Sequence, residues 1–209
     1  VEFRHLWHHR HGLNALAVHE DNKAHFHANF IGAGGKFKSG DGAAGIHNPA
    51  SWISWMIQGL ANYGKHAEYQ PALDLAGKLS RWVIEDANHF DAAGGFLPEY
   101  SGAPRAHFHG HTMNLLSVLE YGTAAEDPEA IQFADRGFKY AMSQGDCLLG
   151  FFGEWLNMST PQTLEMCTLA DMIALAIKLS LAGTGDYWDM VDRWTRNLFV
   201  EGQLTSAHR

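Results

Sequence analysis

Residues 164–204 read LEMCTLADMIALAIKLSLAGTGDYWDMVDRWTRNLFVEGQL. The first part, 164–181, is apolar over most of a helical circumference, and a helix of that kind is buried on more than one side. Gly183 and Gly185 then break the pattern, and 186–201 reads as a second helix. The stretch is a helical hairpin. Shifted back by 57 residues, Asp192-Arg193 falls on Asp135-Arg136 and Met190 on Phe133. A further shift of 58 lays Tyr121-Gly122 on Tyr63-Gly64, Glu126 on Glu68, Ala130-Ile131 on Ala72-Leu73, and Tyr140 on Trp82. Three copies of one unit follow, without gaps.

In each copy the first helix, over 51–63, 111–121 and 164–181, is apolar nearly all round. The second, over 70–86, 128–143 and 186–201, carries a stripe at three- and four-residue spacing. Leu73, Ala76, Leu79 and Val83 form one such stripe and leave Asp74, Lys78 and Arg81 for solvent. Inner apolar and outer amphipathic helices are what stacked hairpins in a ring or solenoid require. The fold class expected is all-α: tandem helical hairpins in a ring or solenoid, with short β-hairpins at one rim. Residues 1–49 are expected to be an irregular loop and strand segment, and 50–209 three hairpins of a single domain.

Connecting loops repeat as well. Gly95-Phe96-Leu97-Pro98-Glu99-Tyr100 and Gly150-Phe151-Phe152-Gly153-Glu154-Trp155 match at a shift of 55, so in a ring both glutamate-aromatic pairs face one rim. Gly32 to Gly45 reads as the corresponding loop of an earlier unit.

Composition narrows the function classes. A hydrophobic content of 46% in 209 residues supports a packed core. A net charge of -8 without a Lys/Arg run argues against nucleic acid as partner. The apolar run in 172–183 is interrupted by Lys178, so no membrane span is expected. The start, VEFRHLWHHR, lacks an initiator Met and a signal-peptide layout, which reads as a processed chain or a piece of something longer. The compartment is left open. Fourteen histidines are many, and His5, His8, His9, His11, His19, His25 and His27 crowd the start. No HExxH pattern accompanies them, so they are read as surface or loop residues able to take metal adventitiously. Cys147 and Cys167 are too few for a disulfide framework or a four-cysteine zinc site.

With this period and the 164–204 segment, the sequence resembles the six-hairpin glycosidase superfamily, nearest to the branch that includes the β-L-arabinofuranosidases of glycoside hydrolase family 127. The resemblance covers about residues 50–205. It implies that the hairpins form part of a six-hairpin (α/α)6 barrel or toroid, of which this chain supplies three and is thus incomplete, so a homodimer or a missing half-barrel is implied as partner. It also implies a zinc-binding Glu-x-Cys pair, matched by Glu165-Met166-Cys167, and an upstream general acid/base, matched by Glu154. The further cysteines that complete such a zinc site have no match here.

Glycosidic hydrolysis needs one carboxylic acid to protonate the leaving oxygen and a second group to attack the sugar or activate water. Glu99 and Glu154 are the natural pair, each directly before an aromatic residue, Tyr100 or Trp155, on which a sugar could stack. Glu165 is the alternative second carboxylate. The competing reading makes Phe96, Phe151, Tyr100 and Trp155 packing anchors.

Thr168-Leu169-Ala170-Asp171 reads as a capping signal that starts a helix at Thr168 and leaves Glu165 and Cys167 extended and convergent. Thr160-Pro161 is a rival start that places Cys167 inside the helix, as an ordinary core cysteine. His107, His109 and His111 occupy alternate positions and in an extended loop point one way, suiting a metal, a proton shuttle or sugar hydroxyls. Arg105 is placed to pair with an acidic sugar, and Arg193 and Arg196 are read as surface salt-bridge partners.

The leading expectation is a carbohydrate-active enzyme, or a fragment of one: a glycoside hydrolase acting on oligo- or polysaccharide, with Glu154, Glu99 and Glu165 catalytic and Trp155, Tyr100, His109, His111 and Arg105 binding substrate. Zinc at Glu165 and Cys167 is the cofactor to test for. Two alternatives stand beside it. One is a polysaccharide lyase using His109, His111 and Tyr100. The other is a non-catalytic glycan- or protein-binding module, in which the apolar faces of Trp52, Trp55 and Met56 meet a partner.

Overall fold

The computed structural model describes residues 12–18, 24–31, 37–38, 49–98, 106–156 and 164–202. A small antiparallel sheet, in the order β1 (Gly12–Val18), β2 (Ala24–Ile31), β3 (Phe37–Lys38), precedes six helices. These are α1 (Pro49–His66), α2 (Gln70–Glu85), α3 (Phe108–Ala125), α4 (Pro128–Ser143), α5 (Met166–Leu181) and α6 (Trp188–Trp194), the last continued by a π-helical turn, Thr195–Phe199. Among the described residues no helix is long and apolar enough to cross a membrane.

The helices pair as three hairpins. α3 packs between α1 and α5 and is backed by the outer helices α2 and α4. That central place explains its sequence, since its residues are buried almost without interruption from Gly110 to Leu119. Outer helices bury one face only: in α2, Ala72, Ala76, Leu79 and Val83 point inward while Asp74 is exposed. Lys178, which breaks the apolar run of α5, forms an ion pair with Glu120 of α3. On the outer face Arg196 pairs with Asp192 at 2.7 Å, and both are exposed.

The repeat persists to the level of single backbone atoms. At the end of α1 the Tyr69 N–H donates to the Gly64 carbonyl (2.9 Å), and the equivalent bond ends α3, from Asp127 N–H to Gly122 O (2.8 Å). The third hairpin repeats it from Thr184 N–H to Leu179 O (3.1 Å). Each closure needs a left-handed residue, supplied by Glu68 (φ 51), Glu126 (φ 55) and Gly183 (φ 77). Gly64 and Gly122 lie where each inner helix meets the start of its outer partner. A Cβ on Gly64 would stand 2.8 Å from the Leu73 backbone nitrogen, and one on Gly122 would stand 3.1 Å from that of Ile131. Leu73 and Ile131 are themselves repeat equivalents, so the conserved spacing of the two glycines reflects one helix-to-helix approach made twice.

Two helix starts differ from the sequence expectation. α3 begins at Phe108, three residues early, because the Phe108 N–H is satisfied by the Glu154 carbonyl (2.9 Å), a partner distant in sequence. α5 begins at Met166, between the two expected starts, with Glu165 in the capping position. Thr160-Pro161, Glu99, Tyr100, Arg105 and most of Gly32 to Gly45 lie outside the described residues.

Candidate active site

The rim is assembled from three backbone segments. Gly153 pairs with Leu164 and Trp155 pairs with His107, each as an antiparallel bridge, and the Leu156 N–H donates to the Ala106 carbonyl at 2.9 Å. This stitching carries residues 153–156 across the first turns of α3 and α5. It is anchored from below by Phe152, which is fully buried against Phe108 and Trp194. The Trp194 indole N–H in turn donates to the Cys147 carbonyl (2.8 Å), tying the loop to α6.

The two repeated loops close alike. Asp91 Oδ1 accepts from the N–H groups of Ala93 and Gly95, and Asp146 Oδ1 from those of Leu148 and Leu149. Asp91 and Asp146 also stand at the 55-residue shift, a match just upstream of the glycine-phenylalanine pattern.

On this frame His107, Glu154 and Glu165 converge, with one ligand atom of each lying within 4.8 Å of the others. His107 is buried, and its Nε2 is 3.5 Å from Glu165 Oε1. The other Glu165 oxygen accepts from the Thr168 hydroxyl at 2.7 Å. Burial by itself would raise the Glu165 pKa. The hydrogen bonds from His107 and Thr168, with the His107 and His109 imidazoles nearby, outweigh it and hold the carboxyl below its ordinary range. Trp155, half-buried, leans on the His107 ring with centroids 4.7 Å apart.

A second group adjoins the first. His109 Nδ1–H donates to Asp171 Oδ2 at 2.7 Å, and the Thr112 hydroxyl donates to the same oxygen at 2.7 Å. Because the partner is a carboxylate, the proton on the neutral ring sits at Nδ1 and the Nε2 lone pair is left available. Burial lowers the pKa of His109, but the Asp171 hydrogen bond and the charges of Asp171 and Glu165 reverse this and leave it raised.

The three alternate histidines do not point one way, because the early start of α3 puts His109 and His111 on helical turns. His107 faces Glu165, His109 faces Asp171, and His111 turns into the core. There His111 stacks on Phe96 (centroids 4.7 Å, 16° between planes), with Nδ1 2.7 Å from the His107 carbonyl and Nε2 2.9 Å from that of Leu97. It is fully buried and lies out of a sugar's reach, so it is a brace that joins the loop ending at Leu97 to the first turn of α3. Burial drives its pKa down to about 4, so the ring is neutral.

The capping signal Thr168 to Asp171 also does something else. Thr168 serves Glu165 and Asp171 serves His109, so both polar residues are spent on the rim. The signal that reveals them is polar residues at three-residue spacing, Glu165, Thr168 and Asp171, on one edge of an otherwise apolar helix. His109 and Thr112 repeat that spacing on α3.

The zinc set implied by the arabinofuranosidase resemblance does not fit. Cys167 is exposed on the first turn of α5 and is not part of the convergent trio. Cys147 is elsewhere, its thiol donating to the Met142 carbonyl.

No protein-family model matches the chain, and no curated protein matches its sequence. Among solved structures the chain is similar to the cellobiose 2-epimerase from Spirochaeta thermophila DSM 6192, with a TM-score of 0.58 and 15% identity. The match covers 71% of this chain and 42% of that one. At that identity the likeness is one of fold, and the fold is that of helical hairpins arranged as in an α/α toroid.

Proposed function

We propose that this chain belongs to a carbohydrate-active enzyme whose reaction takes place at the rim formed by His107, Glu154 and Glu165, and that the reaction is hydrolysis of a glycosidic bond. The observation that carries the reading is the approach of the Glu154 and Glu165 carboxylates to within 4.8 Å, with an aromatic residue directly beside Glu154.

Glu165, held ionised by His107 and Thr168, suits the group that attacks or stabilises the anomeric carbon. Glu154, on the loop beside Trp155, is assigned protonation of the leaving oxygen, and Trp155 a face for the sugar. The branch-level likeness to β-L-arabinofuranosidases stays a proposal about the sugar, and the fold neighbour is a cellobiose 2-epimerase, which keeps a disaccharide within reach.

A second reading rests on the His109–Asp171 pair. An imidazole oriented by a carboxylate is suited to take a proton from carbon, as a lyase or an epimerase requires. A panel of aryl glycosides and uronide oligosaccharides, offered to wild type, Glu154→Gln and His109→Gln, separates the two. Release of aryl alcohol that is lost in Glu154→Gln supports hydrolysis. A conjugated unsaturated product, or an epimer, lost only in His109→Gln overturns it in favour of the second reading. Glycan binding without turnover in any form leaves a binding module.

A further inference from the structure

Beyond the reaction itself, we infer that His107, Glu154 and Glu165 form a binding site for a first-row divalent metal ion, made of one imidazole and two carboxylates and without either cysteine. The geometry points to it in three ways. First, His107 Nε2 and Glu165 Oε1 face one another at 3.5 Å, a long contact. Two ligand atoms that share a tetrahedral zinc at about 2.0–2.2 Å stand about 3.4 Å from one another. The pair is thus already spaced as ligands of a common ion. Second, Glu154, on a half-buried loop side chain, brings a third ligand atom into the same group, all three lying within 4.8 Å of one another.

Third, the supporting contacts are those that metal ligands have. Thr168 holds Glu165 Oε2 at 2.7 Å and so turns Oε1 toward His107. The backbone of His107 is fixed by its bridge to Trp155 and by the His111 ring against its carbonyl. Such outer contacts orient ligands and raise affinity by about 10–100-fold. A nitrogen and oxygen donor set without thiolate suits Zn2+ or Mn2+ and disfavours softer ions. Three protein ligands leave open positions for water or sugar hydroxyls.

The site stands whatever the reaction, and on the hydrolytic reading the ion and the proton of Glu154 compete for one carboxylate, so that a bound ion inhibits. The test uses the full chain, stripped with EDTA, desalted and titrated with Zn2+ by calorimetry at neutral pH, with Mn2+ followed by electron paramagnetic resonance as a second probe. One site is expected whose affinity falls at least tenfold in His107→Gln and in Glu165→Gln and is unchanged in Cys167→Ser. Circular dichroism checks that each variant is folded, and Glu154→Gln replaces any that is not.

Titrations of the His107 and Glu165 variants that superimpose on wild type would mean adventitious binding at the histidine-rich start only, and would overturn the inference. So would the absence of any such site, or its loss in Cys167→Ser alone. Glycosidase assays on the stripped protein report on the reaction independently: turnover that zinc suppresses upholds both readings, and zinc binding in a protein without turnover sinks hydrolysis alone.

Discussion

Replacing His111 by Asn removes a buried titrating group, and the structure sets the size of the effect. The neutral ring fills a dry space against Phe96 and Phe90, beside His89. Its pKa is pulled down to about 4 from the ordinary 6.5, mainly by burial, with the carbonyls of His107 and Leu97 pulling the other way. A depressed histidine makes the unfolded chain bind the proton first. Stability is therefore fully present above about pH 6.5, falls as the pH drops toward 4, and levels off below it. A gap of about 2.5 pKa units at about 1.4 kcal/mol each is roughly 3 kcal/mol, a large share of the 5–15 kcal/mol of a typical domain.

Urea unfolding followed by circular dichroism at several pH values from 7.5 to 4 reads the effect. Wild type should lose about 3 kcal/mol more than His111→Asn over that range, although the variant starts lower at neutral pH because the smaller side chain leaves part of the ring's space against Phe96 empty. Parallel curves for the two proteins would refute the reasoning, since His111 would then be charged or solvated in the folded state.

Further predictions follow from the hairpin ends. Gly64→Ala places a Cβ 2.8 Å from the Leu73 backbone nitrogen and should destabilise by about 1–3 kcal/mol in thermal or urea unfolding. Gly59→Ala, in the same helix with nothing within 4 Å, should stabilise by up to about 1 kcal/mol, and a loss there would count against the helix placement. Glu126→Gly relieves the left-handed strain at φ 55 and should stabilise by up to about 1 kcal/mol, where an L-residue elsewhere in a helix would lose by the same change. Asp127→Ala removes the carboxylate that caps the Glu129 and Ala130 N–H groups of α4, and unfolding midpoints should fall by an amount equivalent to about 1 kcal/mol.

Much of the fold is legible in the sequence because each hairpin repeats the same physical solution. Tyr63-Gly64 and Tyr121-Gly122 recur because both inner helices must end with a close backbone approach and a left-handed residue a few positions on. The site is less legible, for reasons that are also physical. His107, His109 and His111 look like one extended face, but the start of α3 is set by the carbonyl of Glu154, a contact that no local pattern reports. Asp171 looks like a cap because capping and site residues draw on the same short polar side chains. Only the three-residue spacing of Glu165, Thr168 and Asp171 along an apolar helix distinguishes the second role. Glu99, Tyr100 and Arg105 fall outside the described residues, and among the described ones Glu154 is brought together with Glu165, the alternative second carboxylate.

The claim at the centre of this account is that Glu154 delivers a proton to a departing sugar oxygen. Its most direct test is kcat/KM for wild type and Glu154→Gln on two glycosides of whichever sugar the chain accepts, one with an alkyl and one with a dinitrophenyl leaving group. A general acid contributes about 10²–10⁴-fold where the leaving group needs a proton, and little where it does not. The expected result is a loss of that size on the alkyl glycoside and a nearly unchanged rate on the dinitrophenyl one. An equal loss on both, or none on either, would contradict it.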